Sequence, residues 1–166
     1  MTAHTRRLTT LHASRIVLGF LVCLPGPALA ILANCSVSAT SVSFGAYNVF
    51  NSSPTDATGQ VTVSCTGLVL SLLVSYEIQL NPGLNGSFAA RKMASGANRL
   101  SYNLYLDAAR TAVWGDGSSG TMTVTDGYIL GLFTITRNYN VYGRIPALQN
   151  AVVGSYADTV VVTLIF

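Results

Sequence analysis

Gly154-Ser155-Tyr156-Ala157-Asp158-Thr159-Val160-Val161-Val162-Thr163-Leu164-Ile165-Phe166 decides the reading of this chain. After a Gly-Ser turn signal it is β-branched and aromatic almost throughout, the composition of a strand buried on at least one face. Val160, Val162, Leu164 and Phe166 fall on one side of a period-2 pattern, and Thr159, Val161, Thr163 and Ile165 on the other. The sequence stops on Phe166 with no turn and no further strand, so the pattern predicts a sheet edge that something must cover.

The opposite end reads as a targeting segment. Residues 1–15 carry Arg6, Arg7 and Arg15 and no acid, residues 16–24 are apolar, and Ala28-Leu29-Ala30 is a small-x-small cleavage pattern. That describes a secretory signal peptide over residues 1–30, too short and wrongly flanked for a spanning helix. An uncleaved anchor is the alternative. A lipoprotein site is weaker, because Cys23 follows bulky Val22 and Cys35 follows Asn34. The mature domain is expected over residues 31–166, with no transmembrane segment.

Removing residues 1–30 changes the chemistry available. Six basic residues then face six acids, so the basic isoelectric point belongs to the signal segment and gives no support to nucleic-acid binding. Both histidines, His4 and His12, leave as well. Without histidine, Ser-His-Asp and Cys-His catalysis lose their base, and the commonest metal ligand is gone. The reading is therefore of a non-enzyme with no cofactor and no metal. Cys35 and Cys65 remain, and in an oxidising compartment two cysteines most simply form one disulfide. Closing a loop of about thirty residues contributes on the order of 3–4 kcal/mol. About 136 residues suffice for one domain with its own core. Only 9% of the chain is charged, against the usual quarter, which suggests that much of the surface is covered in an assembly.

Short strands with turns between them fill the mature chain. They are expected over residues 35–44, 59–67, 72–80, 99–107, 121–125, 132–142 and the final stretch. Leu72, Val74, Tyr76, Ile78 and Leu80 alternate with polar residues, as do Leu100, Tyr102, Leu104 and Leu106. Asn85-Gly86 and Asp126-Gly127 read as tight turns, and no window keeps helical spacing for three turns. An antiparallel Greek-key β-sandwich fits this spacing, with an up-and-down barrel as the rival.

Four side-chain groups invite functional readings. Trp114-Gly115-Asp116-Gly117 reads first as a turn whose Trp covers one end of the core. Its functional alternative makes Trp114 and Asp116 an adhesive contact for a sugar. Asp107, Asp116 and Asp126 read as turn residues rather than as a hydrolytic carboxylate pair or a calcium site. Arg91-Lys92 reads as a solvated pair in a loop. Arg137 and Arg144, on an otherwise apolar strand, are expected to pair with an acid such as Glu77 or Asp158, or to meet a partner's chain terminus.

The residues also carry a resemblance. Cys35, Phe44-Gly45-Ala46-Tyr47, Val61-Thr62-Val63-Ser64-Cys65-Thr66, Arg91-Lys92-Met93, Leu100-Ser101-Tyr102-Asn103-Leu104-Tyr105, Trp114-Gly115-Asp116-Gly117, Tyr142-Gly143-Arg144 and Gly154-Ser155-Tyr156-Ala157-Asp158-Thr159-Val160 resemble the spore coat protein U domain family. That family includes secreted subunits of archaic chaperone–usher pili, and the match runs in order along the whole mature chain. The resemblance implies an incomplete, pilin-type immunoglobulin-like domain lacking its final strand. A periplasmic chaperone would hold it, an outer-membrane usher would assemble it, and a strand from a neighbouring pilus or coat subunit would complete it. It would be exported through the periplasm to the cell surface or a spore coat. The acceptor groove is expected to be bordered by Val37, Val42, Val160, Val162, Leu164 and Phe166, with the Phe166 carboxylate gripped by a chaperone cation. Only Ile31-Leu32-Ala33-Asn34 would precede Cys35 after cleavage, so a terminal subunit that accepts a strand but lends none is expected. A secreted carbohydrate-binding or adhesive module is the alternative.

Overall fold

The computed structural model describes residues 33–67 and 72–166. The segment read as a signal peptide and the Leu72 side chain lie outside what is described. Among the described residues eight strands follow in chain order: β1 (Ala33–Thr40), β2 (Thr55–Gly67), β3 (Leu72–Leu80), β4 (Arg91–Ser95), β5 (Asn98–Tyr105), β6 (Val124–Leu130), β7 (Thr134–Ile145) and β8 (Val162–Ile165). They form a five-stranded sheet, β1-β2-β7-β5-β4, and a three-stranded sheet, β6-β3-β8, with every neighbouring pair antiparallel. A complete immunoglobulin-like sandwich orders its sheets A-B-E-D and C-F-G. Here β1, β2, β7 and the β5–β4 pair take the first order, while β3 and β8 stand at C and F. Among the described residues no strand lies beyond β8, where G would pair.

Period-2 patterning set the core as expected. Val61, Val63 and Cys65 of β2, Val74, Tyr76, Ile78 and Leu80 of β3, and Leu100, Tyr102 and Leu104 of β5 all face inward and are buried. The longest pairing, β2 with β7, runs from Thr55 opposite Ile145 to Thr66 opposite Thr134. On its solvent face Thr62, Ser64 and Thr66 bond Asn138, Thr136 and Thr134 at 2.9, 2.9 and 2.7 Å. Neutral cross-strand pairs of this kind stabilise a wet sheet face without charge.

Several boundaries differ from the sequence reading. Arg91 and Lys92 are not in a solvated loop: they open β4, and Arg91 is completely buried. Its guanidinium donates to Asn81 O at 2.9 Å, Trp114 O at 2.7 Å and Asn103 Oδ1 at 2.6 Å. Burial pushes its pKa down, against the fields of Tyr102 and Asp158. Asp126-Gly127 is not a turn but lies inside β6, opposite Tyr76 and Ser75. A Cβ on Gly127 would stand 3.1 Å from Val74 O, so close strand approach rather than chain reversal explains the glycine. Of the expected strand over 121–125, Val124 and Thr125 open β6, while Met122 makes only an isolated bridge to Trp114. The last stretch is strand only over Val162–Ile165, because Ala157 is bridged instead to Ala94 of the other sheet.

Neither Arg137 nor Arg144 takes the expected acid. Arg144 grips Asp56 with two bonds of 2.8 Å, the β2–β7 register having placed them opposite each other. Arg137 lies 5.3 Å from the Tyr128 ring centre, a cation–π contact.

Arg91→Ala would leave the Asn81 and Trp114 carbonyls unpaired in a dry site, take one of two donors from Asn103 Oδ1 and remove a large side chain. It is expected to cost about 3 kcal/mol, read from the urea midpoint of the exported protein, with Arg91→Lys intermediate. A midpoint unchanged by Arg91→Ala would show that these bonds do not hold the fold.

Candidate functional site

The seam between the two sheets is closed differently on its two sides. Along one side a groove of about 1250 Å³ runs into the core between residues 39–49 and residues 151–162. The first wall is the continuation of β1, and the second leads into β8. Its floor is apolar and buried: Val61, Leu80, Met93, Leu100, Leu104, Val141 and Ile145. The volume exceeds the ~300–1,000 Å³ of small-molecule pockets, and each wall is about a dozen residues long. The site has the dimensions of a strand.

The first wall leaves the ladder for a steric reason. β1 was expected to continue to Phe44 but ends at Thr40. Val42 then lies against Gly59 of β2, and both Val42 and Phe44 lie against Gly143 of β7. A Cβ on Gly59 would sit 2.8 Å from Val42, and one on Gly143 would sit 2.7 Å from Val42 and from Phe44. The two glycines form the slots that let these side chains fold over the sheet edge. Phe44 then meets Tyr102 edge-on, with ring centres 6.0 Å apart. Further along, Tyr47 donates its hydroxyl to Pro146 O at 2.9 Å and accepts from Gln149 N at 2.8 Å.

Short hydrogen bonds to other elements hold the second wall back. Ala157 exchanges both backbone bonds with Ala94, at 2.8 and 3.1 Å. Val161 O accepts from Asn81 N at 3.1 Å, and Val161 N donates to Asn81 Oδ1 at 2.9 Å. Asp158 is the one charged residue lining the groove among the described residues. It accepts from Leu84 N at 3.0 Å, Thr159 N at 2.9 Å and Tyr102 Oη–H at 2.8 Å. Burial, reinforced by that bond to a carboxylate, pushes the Tyr102 phenol up and keeps it a donor.

Of the six side chains read as bordering a groove, Val42, Val160 and Val162 line this one. Val37 is half-buried in β1 opposite Val63, and Leu164 is half-buried in β8 opposite Ile78. Phe166 lies beyond β8 and is 51% exposed. The sequence reading missed Phe44, Tyr47, Met93, Tyr102 and the wall over 151–157. Non-periodic aromatics beside small residues, as in Phe44-Gly45-Ala46-Tyr47, were the available signal.

The other sequence candidates lie elsewhere. Cys35 and Cys65 are bonded as a register pair of β1 and β2. Trp114 does cover the core: it is completely buried, and its indole N–H donates to Ile78 O at 3.1 Å. That corrects the adhesive alternative for Trp114, whose ring offers no face to a sugar. Asp116 is exposed and turns inward on its own loop, accepting from Ser118 N and Oγ at 2.9 and 2.6 Å. Among the described residues no three His, Cys, Asp or Glu side chains are grouped to hold a metal, and no helix is long and apolar enough to cross a membrane.

The Spore Coat Protein U domain matches residues 23–163. The chain belongs to that family. Protein U of Myxococcus xanthus is 41% identical over 117 residues, covering 66% of this chain and 59% of the relative. The chain thus spans less than two thirds of that protein's length. Among solved structures, the CsuC–CsuE chaperone–tip adhesion subunit pre-assembly complex from archaic chaperone-usher Csu pili of Acinetobacter baumannii has a similar fold. The likeness has a TM-score of 0.53 at 24% identity and covers 81% of this chain and 40% of that one.

Gly143→Val should evict Val42 and Phe44 from their slot and loosen the first wall. The expected loss is about 2 kcal/mol, by overpacking, with faster amide hydrogen exchange over residues 41–47. Unchanged exchange there would show that Gly143 does not seat the wall.

Proposed function

We propose that this chain is a non-enzymatic, exported structural subunit of a pilus or spore coat whose groove accepts a β-strand from a partner. One observation carries the reading. A strand-sized apolar groove lies where the G strand of a complete sandwich would stand, beside the unpaired edge of β8. Strand addition suits such a site, since main-chain bonds supply affinity and alternate side chains fill the floor. Val42, Val160 and Val162 would contact the inserted side chains directly. Val37, Leu164 and Phe166 would act from the flanks, extending or steadying the edge. Membership of the Spore Coat Protein U family and a fold shared with a chaperone-bound pilus subunit support the same reading.

The partners follow from that mode of assembly. A periplasmic chaperone would cover the groove after export and removal of residues 1–30. An outer-membrane usher would then exchange the chaperone for a neighbouring subunit at the cell surface. The Cys35–Cys65 bond suits that oxidising route. A carbohydrate-binding module centred on Trp114 has no support from the buried ring.

A synthetic peptide of twelve residues, alternating valine or leucine with threonine, tests strand acceptance. At a hundredfold excess over its dissociation constant a bound peptide stabilises by about 2.7 kcal/mol. For a domain of this size the melting temperature should rise by roughly 10 °C, with amides over 39–49 and 151–162 protected. A version with serine at the apolar positions should do neither. If the alternating peptide leaves both measurements unchanged, the groove is not a strand acceptor.

We further propose that the subunit is terminal, at a tip or cap. Four residues, Ile31 to Asn34, would precede Cys35 after cleavage, and they reach at most about 14 Å. That is too short to fill a neighbour's groove. The purified exported protein, freed of its chaperone, should remain without fibres in electron micrographs. Fibres composed of it alone would refute the terminal placement.

A further inference from the structure

The groove has unlike ends, and one is ringed by apolar side chains that the fold leaves bare. Phe50, Leu148, Val152 and Val153 are 88%, 65%, 61% and 101% exposed. Scattered apolar residues on a surface are ordinary, but these four belong to two loops that are tied together. The tie is the Tyr47 hydroxyl, bonded to Pro146 O and Gln149 N at 2.9 and 2.8 Å. Val152 and Val153 also line the groove, so its mouth opens between the loops over 46–54 and 146–155. Neither loop contains a charged residue.

Direction decides what would meet this rim. The second wall runs from the loop end of the groove toward β8. A strand completing the sandwich antiparallel to β8, as G pairs with F, runs the other way and leaves the groove between these loops. If that strand precedes a folded body in its own chain, the body is delivered directly onto Phe50, Leu148, Val152 and Val153.

We propose that this rim is a docking face for the body of the strand donor, a sandwich domain with an apolar surface at the base of its N-terminal strand. The inference rests on the groove accepting a strand. It adds that affinity and orientation come from a second, side-chain contact outside the ladder. Because strand and body are linked, the body contact forms at high effective concentration and slows release of the strand. With no charge on either loop, apolar shape rather than ion pairing would set the match.

A second copy of this domain serves as a defined probe. In it Leu132 and Phe133 are 57% and 67% exposed near Thr134, at the same end of the sheet as Ala33. The alternating peptide is fused directly ahead of that copy, labelled, and held at nanomolar concentration while the intact exported protein is titrated in. The free peptide is measured in parallel. The fusion should bind about tenfold tighter than the peptide. Phe50→Ser and Leu148→Ser, both at bare positions that do not line the groove, should leave the peptide's affinity within about twofold and remove most of the fusion's advantage. Equal affinities, or an advantage that survives both substitutions, would overturn the docking face while leaving strand acceptance standing. Failure of peptide and fusion alike would overturn strand acceptance, and this inference with it.

Discussion

A β-sandwich excludes water from its core only where each seam between the sheets is bridged. Here one seam is held apart. The wall over 39–49 leans on Gly59 and Gly143, and the wall over 151–162 is bonded to Ala94 and Asn81. Each wall is therefore fixed along its length to its own neighbours, and the Tyr47 hydroxyl links them only at the loop end. Were the two to pair, Ala157 would lose its bridge and Val161 its bonds to Asn81, a cost of about 1 kcal/mol or more for each buried group stranded. Anchoring of this kind keeps a hydrophobic floor accessible, where an unanchored edge would collapse onto it.

Arg91 extends that anchoring. A guanidinium buried without a carboxylate partner is costly unless its donors are all met. Backbone carbonyls of Asn81 and Trp114 and the side chain of Asn103 meet four of its five N–H groups here. The same Asn81 holds Val161 through its side chain and main-chain N–H. The buried cation and the second wall thus share one residue at the end of β3. Asn103 in turn donates to Phe88 O at 2.9 Å, drawing the loop before β4 into the set. Rigid support behind a binding groove reduces the ordering cost when a partner arrives.

Much of this architecture was legible from periodicity. Strict alternation in β3 and β5 placed their inward faces, and β3 kept its expected bounds, because buried strands leave little room for any other pattern. The final stretch gave its faces correctly as far as Ile165, with Val160, Val162 and Leu164 turned inward and Val161 and Ile165 outward, while Phe166, read with the inward set, is exposed beyond the strand. What failed was local chemistry overridden by distant partners. Arg91-Lys92 looked solvated because nothing nearby shows that three acceptors from remote segments converge on one guanidinium. Asp126-Gly127 looked like a turn because a glycine needed for close strand approach carries the same letters. The first groove wall was illegible for a related reason. Its course depends on empty volume above Gly59 and Gly143, and sequence records residues rather than the space between them.

The sparse charges complete the physical picture. Asp56 holds Arg144, with Arg110 at 3.2 Å, and its carboxyl is kept low first by the Arg144 bond. Asp126 accepts from Tyr139 at 2.6 Å, and Asp158 from Tyr102. Asp107 and Asp116 accept from their own loops, and Glu77 accepts from Gln79 at 3.0 Å. All six acids are thus committed within residues 33–166, and beyond the Asp56–Arg144 pair Thr62, Ser64 and Thr66 with their partners wet the β2–β7 face without charge. With six acids and six bases in the same region, little long-range field is left to steer a partner. Under the proposed strand acceptance, recognition would rest on what the charges leave free, which is an unpaired strand edge and bare apolar side chains. A low charge content and an open groove both suit the proposed assembly, in which contacts would be made by backbone and shape.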